Sequence, residues 1–128
     1  MNQIKLKEVD RLEIAVLVDN FTDLLMLESS KTVRRALVMP PARFFAEHGF
    51  SLLIKTIADG KEYTTLLDTG GSTDCLFHNA DLLKIDLNNI QSVVLSHGHF
   101  DHFGGLIGFL KNYGKNKTVT QTPNNDIE

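Results

Sequence analysis

Between His97 and His102 the chain packs three histidines and one aspartate into the order His97-Gly98-His99-Phe100-Asp101-His102. Imidazole nitrogen and carboxylate oxygen are the side-chain donors that divalent transition metals take. In extended chain, residues i and i+2 project to the same side, so His97 and His99 can face one cation while Gly98 lets the backbone bend between them. The turn that follows brings Asp101 and His102 to a neighbouring position. This spacing predicts two adjacent metal sites of mixed nitrogen and oxygen ligands, suited to zinc, iron or manganese. A structural role for core histidines is the usual reading of one histidine and a poor one for three at this spacing after a buried strand. Phe100 and Phe103 are expected to shield the loop from beneath.

Such a loop needs elements that hold it still. Ahead of it, "IQSVVLS" (Ile90 to Ser96) reads as a buried strand, and behind it "GGLIGFLKNYG" reads as a helix that Gly114 is placed to end. Upstream, "SLLIKTIADGKEYTTLLDTG" (Ser51 to Gly70) is two β-rich runs joined by Asp59-Gly60, a pair that favours a type I′ hairpin turn. Gly70 and Gly71 permit a sharp turn into "CLFHNADLLK", whose apolar residues recur at helical spacing and whose helix is expected to stop between Ile85 and Asn88.

Nearer the start, "LEIAVLVD" (Leu12 to Asp19) is almost wholly apolar and suits a strand covered on both faces. "NFTDLLMLES" follows as a short helix or a loop. From Ser29 to Gly49 the pattern loosens, and the Pro40-Pro41 pair forces an extended connection, read as a long loop that packs Phe44 and Phe45 inward. The tail "NKTVTQTPNNDIE" begins strand-like and dissolves into polar residues.

Composition sets the class of protein. In 128 residues, 42% hydrophobic and 23% charged content with a net charge of −3 describe a folded chain of one domain and exclude a nucleic-acid binder that relies on a basic surface. Cys75 is the only cysteine, so there is neither an internal disulfide nor a paired-thiol zinc site, and it reads as a small buried apolar side chain. No stretch has the length of a signal-peptide core or a membrane span, so a cytoplasmic location and no membrane partner are expected.

"SHGHFDHFGG" resembles the metal-binding signature of the metallo-β-lactamase superfamily, whose members hold one or two metals in an αβ/βα sandwich. The order "LLDTG", then "LFHNADLL", then "VVLSHGHFDHFGG" is similar to the N-terminal half of that fold, over residues 12–113, with 114–128 as a polar tail. "VDN" at Val18 to Asn20 and "AEHGFSLLI" at Ala46 to Ile54 look like the branch of the dihydropterin-linked ribofuranosylaminobenzene phosphate synthases.

The resemblance implies a single, truncated domain: an α/β chain equivalent to half of the sandwich, with a mainly antiparallel sheet and helices on one side. It assigns His97 and His99 to a first metal and Asp101 and His102 to a second, with zinc ahead of iron or manganese, and Asp68 as a hydrogen-bonding support behind them. His48, Asp19 and Asn20 are candidates to line the pocket, whereas His78 lies within a helix pattern and reads as structural. The implied activity is metal-dependent hydrolysis of a small-molecule substrate, with metal-activated hydroxide as nucleophile and Asp101 orienting it.

Each implied site draws only two ligands from this loop, and no histidine follows His102. A further histidine, a bridging aspartate and a last histidine would come from later segments in the superfamily. Asp126 is the only later aspartate and stands in the polar tail. The expectation is therefore partial metal occupancy and little activity for the chain alone, with a complementing C-terminal half or a homodimer mate as partner. The alternative is a non-catalytic interaction module that binds metal weakly. Either way, the apolar sheet face that the second half would cover is expected to be exposed.

Overall fold

The computed structural model describes residues 6–26 and 28–115, and the backbone of 118–121. Its sheet has five strands whose spatial order is their chain order: β1 (Arg11–Val18), β2 (Ser51–Ala58), β3 (Lys61–Leu67), β4 (Ser92–Leu95) and β5 (Thr118–Gln121). β1, β2 and β3 run antiparallel with seven paired residues on each ladder, whereas β3–β4 and β4–β5 are parallel with three and four pairs, so most of the pairing is antiparallel. The strand-like start of the tail is β5, and the polar residues 122–128 lie outside the described residues.

The β2–β3 turn is as expected. Asp59 and Gly60 both have positive φ, 50° and 70°, which a type I′ turn requires and which matches the twist of the flanking strands.

Parallel neighbours need crossovers, and two helices provide them. α1 (Thr73–Leu82) links β3 to β4; α3 (Leu106–Tyr113) links β4 to β5, after a single helical turn, α2 (Phe100–Phe103). Ser72 caps α1 by accepting from the Cys75 amide at 3.2 Å. α1 ends earlier than its apolar spacing suggests. Lys84 takes a left-handed conformation (φ 58°), and the Ile85 amide returns to the Ala80 carbonyl at 2.9 Å, so the chain turns out before a 3-10 turn at Leu87–Asn89.

Both helices pack on one sheet face. Leu53, Leu66 and Val93 stand side by side in register, and Leu17, Leu76, Ala80 and Phe109 close over them. Leu66, Leu76 and Phe109 are completely buried, each contributing about 1.5–3 kcal/mol through apolar burial.

Among the described residues nothing covers the other sheet face. Leu12, Ile14 and Val16 on β1 are 54%, 55% and 54% exposed, with Leu52, Ile54, Leu67 and Val94 half-buried beside them. β1 is therefore covered on one face, not two: its apolar run reflects a second face that nothing among the described residues meets.

Residues 19–45 form a loop throughout the described part, with no helix. The Asp23 carboxylate turns the chain by accepting from the Leu25 and Met26 amides. Phe44 is half-buried, but Phe45 points outward and stacks flat on His78, ring centres 3.7 Å apart. The loop is tied down instead by buried Asn79, whose amide donates to the Leu17 and Phe45 carbonyls and accepts from the Phe45 amide.

Candidate metal centre

The strand directions place the chemistry on one rim. β1, β3 and β4 all point the same way, so Asp19, Asp68 and the 97–102 loop leave the sheet at the same edge, where His48 enters ahead of β2.

Asp68 sits just past β3, 1% exposed, with a left-handed backbone (φ 56°) that is uncommon for any residue but glycine, asparagine or aspartate. Its backbone is held from both sides: its amide donates to the Val94 carbonyl, and the Ser51 hydroxyl donates to its carbonyl at 2.9 Å. One carboxylate oxygen accepts the Ser96 amide at 2.7 Å; the other meets the Ser96 hydroxyl and His102 Nδ1, each at 2.7 Å.

These bonds favour one placement of the imidazole protons. A buried carboxylate at Nδ1 favours the proton there, leaving the Nε2 lone pair of His102 to point away. Ser96 has one hydroxyl proton; donated to Asp68, it leaves Oγ to accept from His97 Nδ1 at 3.0 Å, which frees His97 Nε2 in the same way. Ser96 is thus a member of the site that sequence reasoning passed over. Its signal was available, as the hydroxyl residue directly before the first histidine.

The freed nitrogens face other donors. His97 Nε2 lies 3.0 Å from His99 Nδ1, and His102 Nε2 lies 3.5 Å from Asp101 Oδ2. Two ligands at 2.0–2.1 Å from a tetrahedral ion stand about 3.4 Å apart, so each pair fits one edge of a metal shell. His48 Nε2 approaches the same Asp101 oxygen at 3.5 Å, from a side chain that is 90% exposed. Among the described residues no group of three such donors is arranged to hold a metal ion. The donor set and its second-layer support thus suit zinc or a similar cation as two half-shells.

The loop is pressed against the turn after β3. Thr69 donates to the His102 carbonyl at 2.8 Å, Gly105 to the Gly70 carbonyl and Phe50 to the Asp101 carbonyl, both at 3.2 Å. A Cβ on Gly104 would stand 2.1 Å from the Gly71 carbonyl oxygen, so only glycine allows this approach. Gly98 differs: its backbone is not left-handed and a Cβ there would meet open space, so the bend between His97 and His99 does not depend on it. Phe100 and Phe103, 66% and 38% exposed, do not shield the loop; the backbone of the Thr69–Gly71 turn lies under it instead.

A second residue missed in the sequence, Glu47, braces that turn. Its carboxylate accepts from the Gly71 and Ser72 amides and from the Ser72 hydroxyl at 2.6 Å, satisfying donors at the start of α1 beside His48.

The remaining candidates lie apart. Asp19 accepts from the Asn20 amide with its carboxylate and from Glu47 with its carbonyl, and its side chain lines a cavity under the 19–45 loop. Asn20 is exposed. His78 holds the Arg43 carbonyl at 2.7 Å and supports the loop. Cys75 is 3% exposed, and burial, helped by Glu47, raises its thiol pKa to about 11.

A family model described as metallo-beta-lactamase superfamily matches residues 46–122. Among known proteins, the 7,8-dihydropterin-6-methyl-4-(beta-D-ribofuranosyl)-aminobenzene-5'-phosphate synthase of Methanocaldococcus jannaschii is 37% identical over 81 residues, 63% of this chain and 28% of the synthase. An uncharacterized protein of the same organism is 37% identical over 70 residues, 55% of this chain and 25% of that protein. The chain thus spans about a quarter of the length of these relatives. A subclass B3 metallo-beta-lactamase from Bradyrhizobium japonicum aligns in structure at 22% identity and a TM-score of 0.42, over 54% of this chain and 25% of the enzyme. With more than half of its length matched by the family model, this chain belongs to the metallo-beta-lactamase superfamily.

Proposed function

We propose that this chain carries the metal-loop half of a metal-dependent hydrolase site that acts on a small molecule in the cytoplasm. The observation that supports it is the hydrogen-bond arrangement: Asp68 meets His102 Nδ1 directly and His97 Nδ1 through Ser96, an order that leaves both Nε2 atoms for a cation. In this reading His97 and His99 hold one metal, and Asp101 and His102 a second. Bound divalent metals supply Lewis-acid activation of water and of the substrate's carbonyl or phosphoryl oxygen. The chain's own residues do the rest: Asp101 keeps one carboxylate oxygen toward the reacting side, and Asp68 holds the Nδ1 side of His102 so that its Nε2 stays turned outward. His48, beside Asp101, faces the substrate side.

The remaining ligands come from a segment or partner laid on the bare sheet face of β1, β2 and β3. A second reading, an interaction module that binds metal weakly, is favoured by that same exposed face. Zinc titration followed by calorimetry and metal analysis tests the proposal. Weak binding by the chain, lost in His97→Ala and His102→Ala and tightened when a complementing superfamily half is added with metal-dependent ester hydrolysis, supports the enzyme reading. Zinc binding indifferent to both substitutions overturns it; binding with no turnover in the complemented complex favours the module.

A further inference from the structure

We infer that His48 is itself a metal ligand, the third protein donor, beside Asp101 and His102, for the cation assigned to that pair. The inference rests on the reading of Asp101 and His102 as one half-shell. Catalytic zinc is held by three protein groups and keeps a fourth position for water, so a third donor in the same chain would bring this half-shell to the full protein count.

The backbone around His48 is fastened to the histidine loop and to the turn beneath it. On one side Phe50 donates to the Asp101 carbonyl at 3.2 Å, and a Cβ on Gly49 would stand 2.7 Å from the Gly71 nitrogen and 3.0 Å from the Asp101 carbonyl oxygen. On the other side the Glu47 carboxylate accepts from the Gly71 and Ser72 amides at 3.0 and 2.9 Å, and the Glu47 amide donates to the Asp19 carbonyl at 3.2 Å. Between these anchors the His48 side chain is 90% exposed, and its polar neighbour is Asp101. A ring so exposed adds little to the core, so the consequence of pinning its backbone is that an imidazole is kept beside Asp101.

The donor separations point the same way. Asp101 Oδ2 lies 3.5 Å from His48 Nε2 and 3.5 Å from His102 Nε2. Both distances exceed the usual N–H···O range and lie close to the edge of about 3.4 Å between two ligands of tetrahedral zinc. Asp68 at Nδ1 keeps the Nε2 of His102 turned outward. Among the described residues the three donors do not yet close into one group. Asp101 and His102, 23% and 20% exposed, are held within the loop, so the exposed His48 ring is the member free to complete it from the open side.

The test is a zinc titration of the whole chain, read by the nitrogen chemical shifts of its imidazoles. Zinc is expected to move His48 Nε2 and His102 Nε2 together, while the ring of His78, engaged with the Arg43 carbonyl, stays unmoved. His48→Ala is expected to weaken zinc binding by at least the roughly 10–100-fold that loss of a supporting group costs, and to alter the visible spectrum of the cobalt-loaded chain. The urea midpoint of the metal-free variant should match that of the parent, because the side chain is exposed. A His48 Nε2 that stays unmoved while His102 Nε2 shifts overturns the inference and leaves the half-shell reading standing, as does equal zinc affinity in His48→Ala and the parent. Zinc that moves neither nitrogen, or does not bind, overturns both.

Discussion

The Asp68 carboxylate meets His102 Nδ1 at 2.7 Å from a backbone held in the left-handed region, so the side chain that orients the His102 imidazole is delivered by a conformation few residues adopt. Asparagine tolerates the same φ, which makes Asp68→Asn the clean probe of the charge. It is expected to lower zinc affinity 10–100-fold, as removal of such a supporting group does. Asp68→Ala adds a left-handed alanine and leaves three donors unmet, at a cost of about 3–5 kcal/mol. Urea midpoints and zinc titrations on the two variants separate the effects; unchanged zinc affinity in Asp68→Asn would contradict the assignment.

Ser96 relays the same influence to His97. Ser96→Ala is expected to cost about 1 kcal/mol, and to convert His97 from its Nδ1-protonated form to a mixture while His102 keeps its proton on Nδ1. Nitrogen chemical shifts of the two imidazoles report this directly. A His97 spectrum unaltered by the substitution would remove Ser96 from the site.

Two glycines of the motif should respond in opposite ways. Gly104→Ala drives a Cβ to 2.1 Å from a backbone oxygen that cannot swing aside, and is expected to destabilise by about 3 kcal/mol or more. Gly98→Ala meets nothing and should stay within about 0.5 kcal/mol of the parent. Thermal unfolding of both variants checks the contrast; equal midpoints would be incompatible with the close approach of the histidine loop to the Gly71 turn.

Cys75 provides a pH-dependent readout of the core. Its thiol is raised from 9.0 to about 11 in the folded chain, so the unfolded chain loses the proton first as pH rises. The contribution to stability is complete below pH 9 and is lost between about pH 9 and 11. Denaturation midpoints measured across that window should fall relative to a Cys75→Ala variant, and iodoacetamide should label native protein slowly at pH 8. Rapid labelling at pH 8 would mean the thiol is open.

The legible parts of the molecule were those where one local signal suffices. Asp59-Gly60 announced its turn because two positive φ angles admit few residue pairs, and the histidine spacing announced a cluster that the fold does gather on one loop beside Asp68. What escaped depended on contacts between distant segments. Nothing in "DTGGS" says that Glu47, 24 residues earlier, will cap it. The helix end at Lys84 was hidden because a lysine, not a glycine, takes the left-handed position. β1 misled for a different reason: an all-apolar strand signals two faces that avoid water, and one of them is bare among the described residues.

The alignment of β1, β3 and β4 gathers Asp19, Asp68 and the 97–102 loop at one end of the molecule and leaves turns at the other. The Asp59-Gly60 turn and the 3-10 turn at Leu87–Asn89 lie at the edge opposite the histidine loop, and a Cβ on Gly60 would touch nothing. That tip is therefore a natural handle: a fluorophore, an affinity tag or an inserted sequence placed after Gly60 would report on or tether the chain from a full strand length away, leaving its chemistry undisturbed.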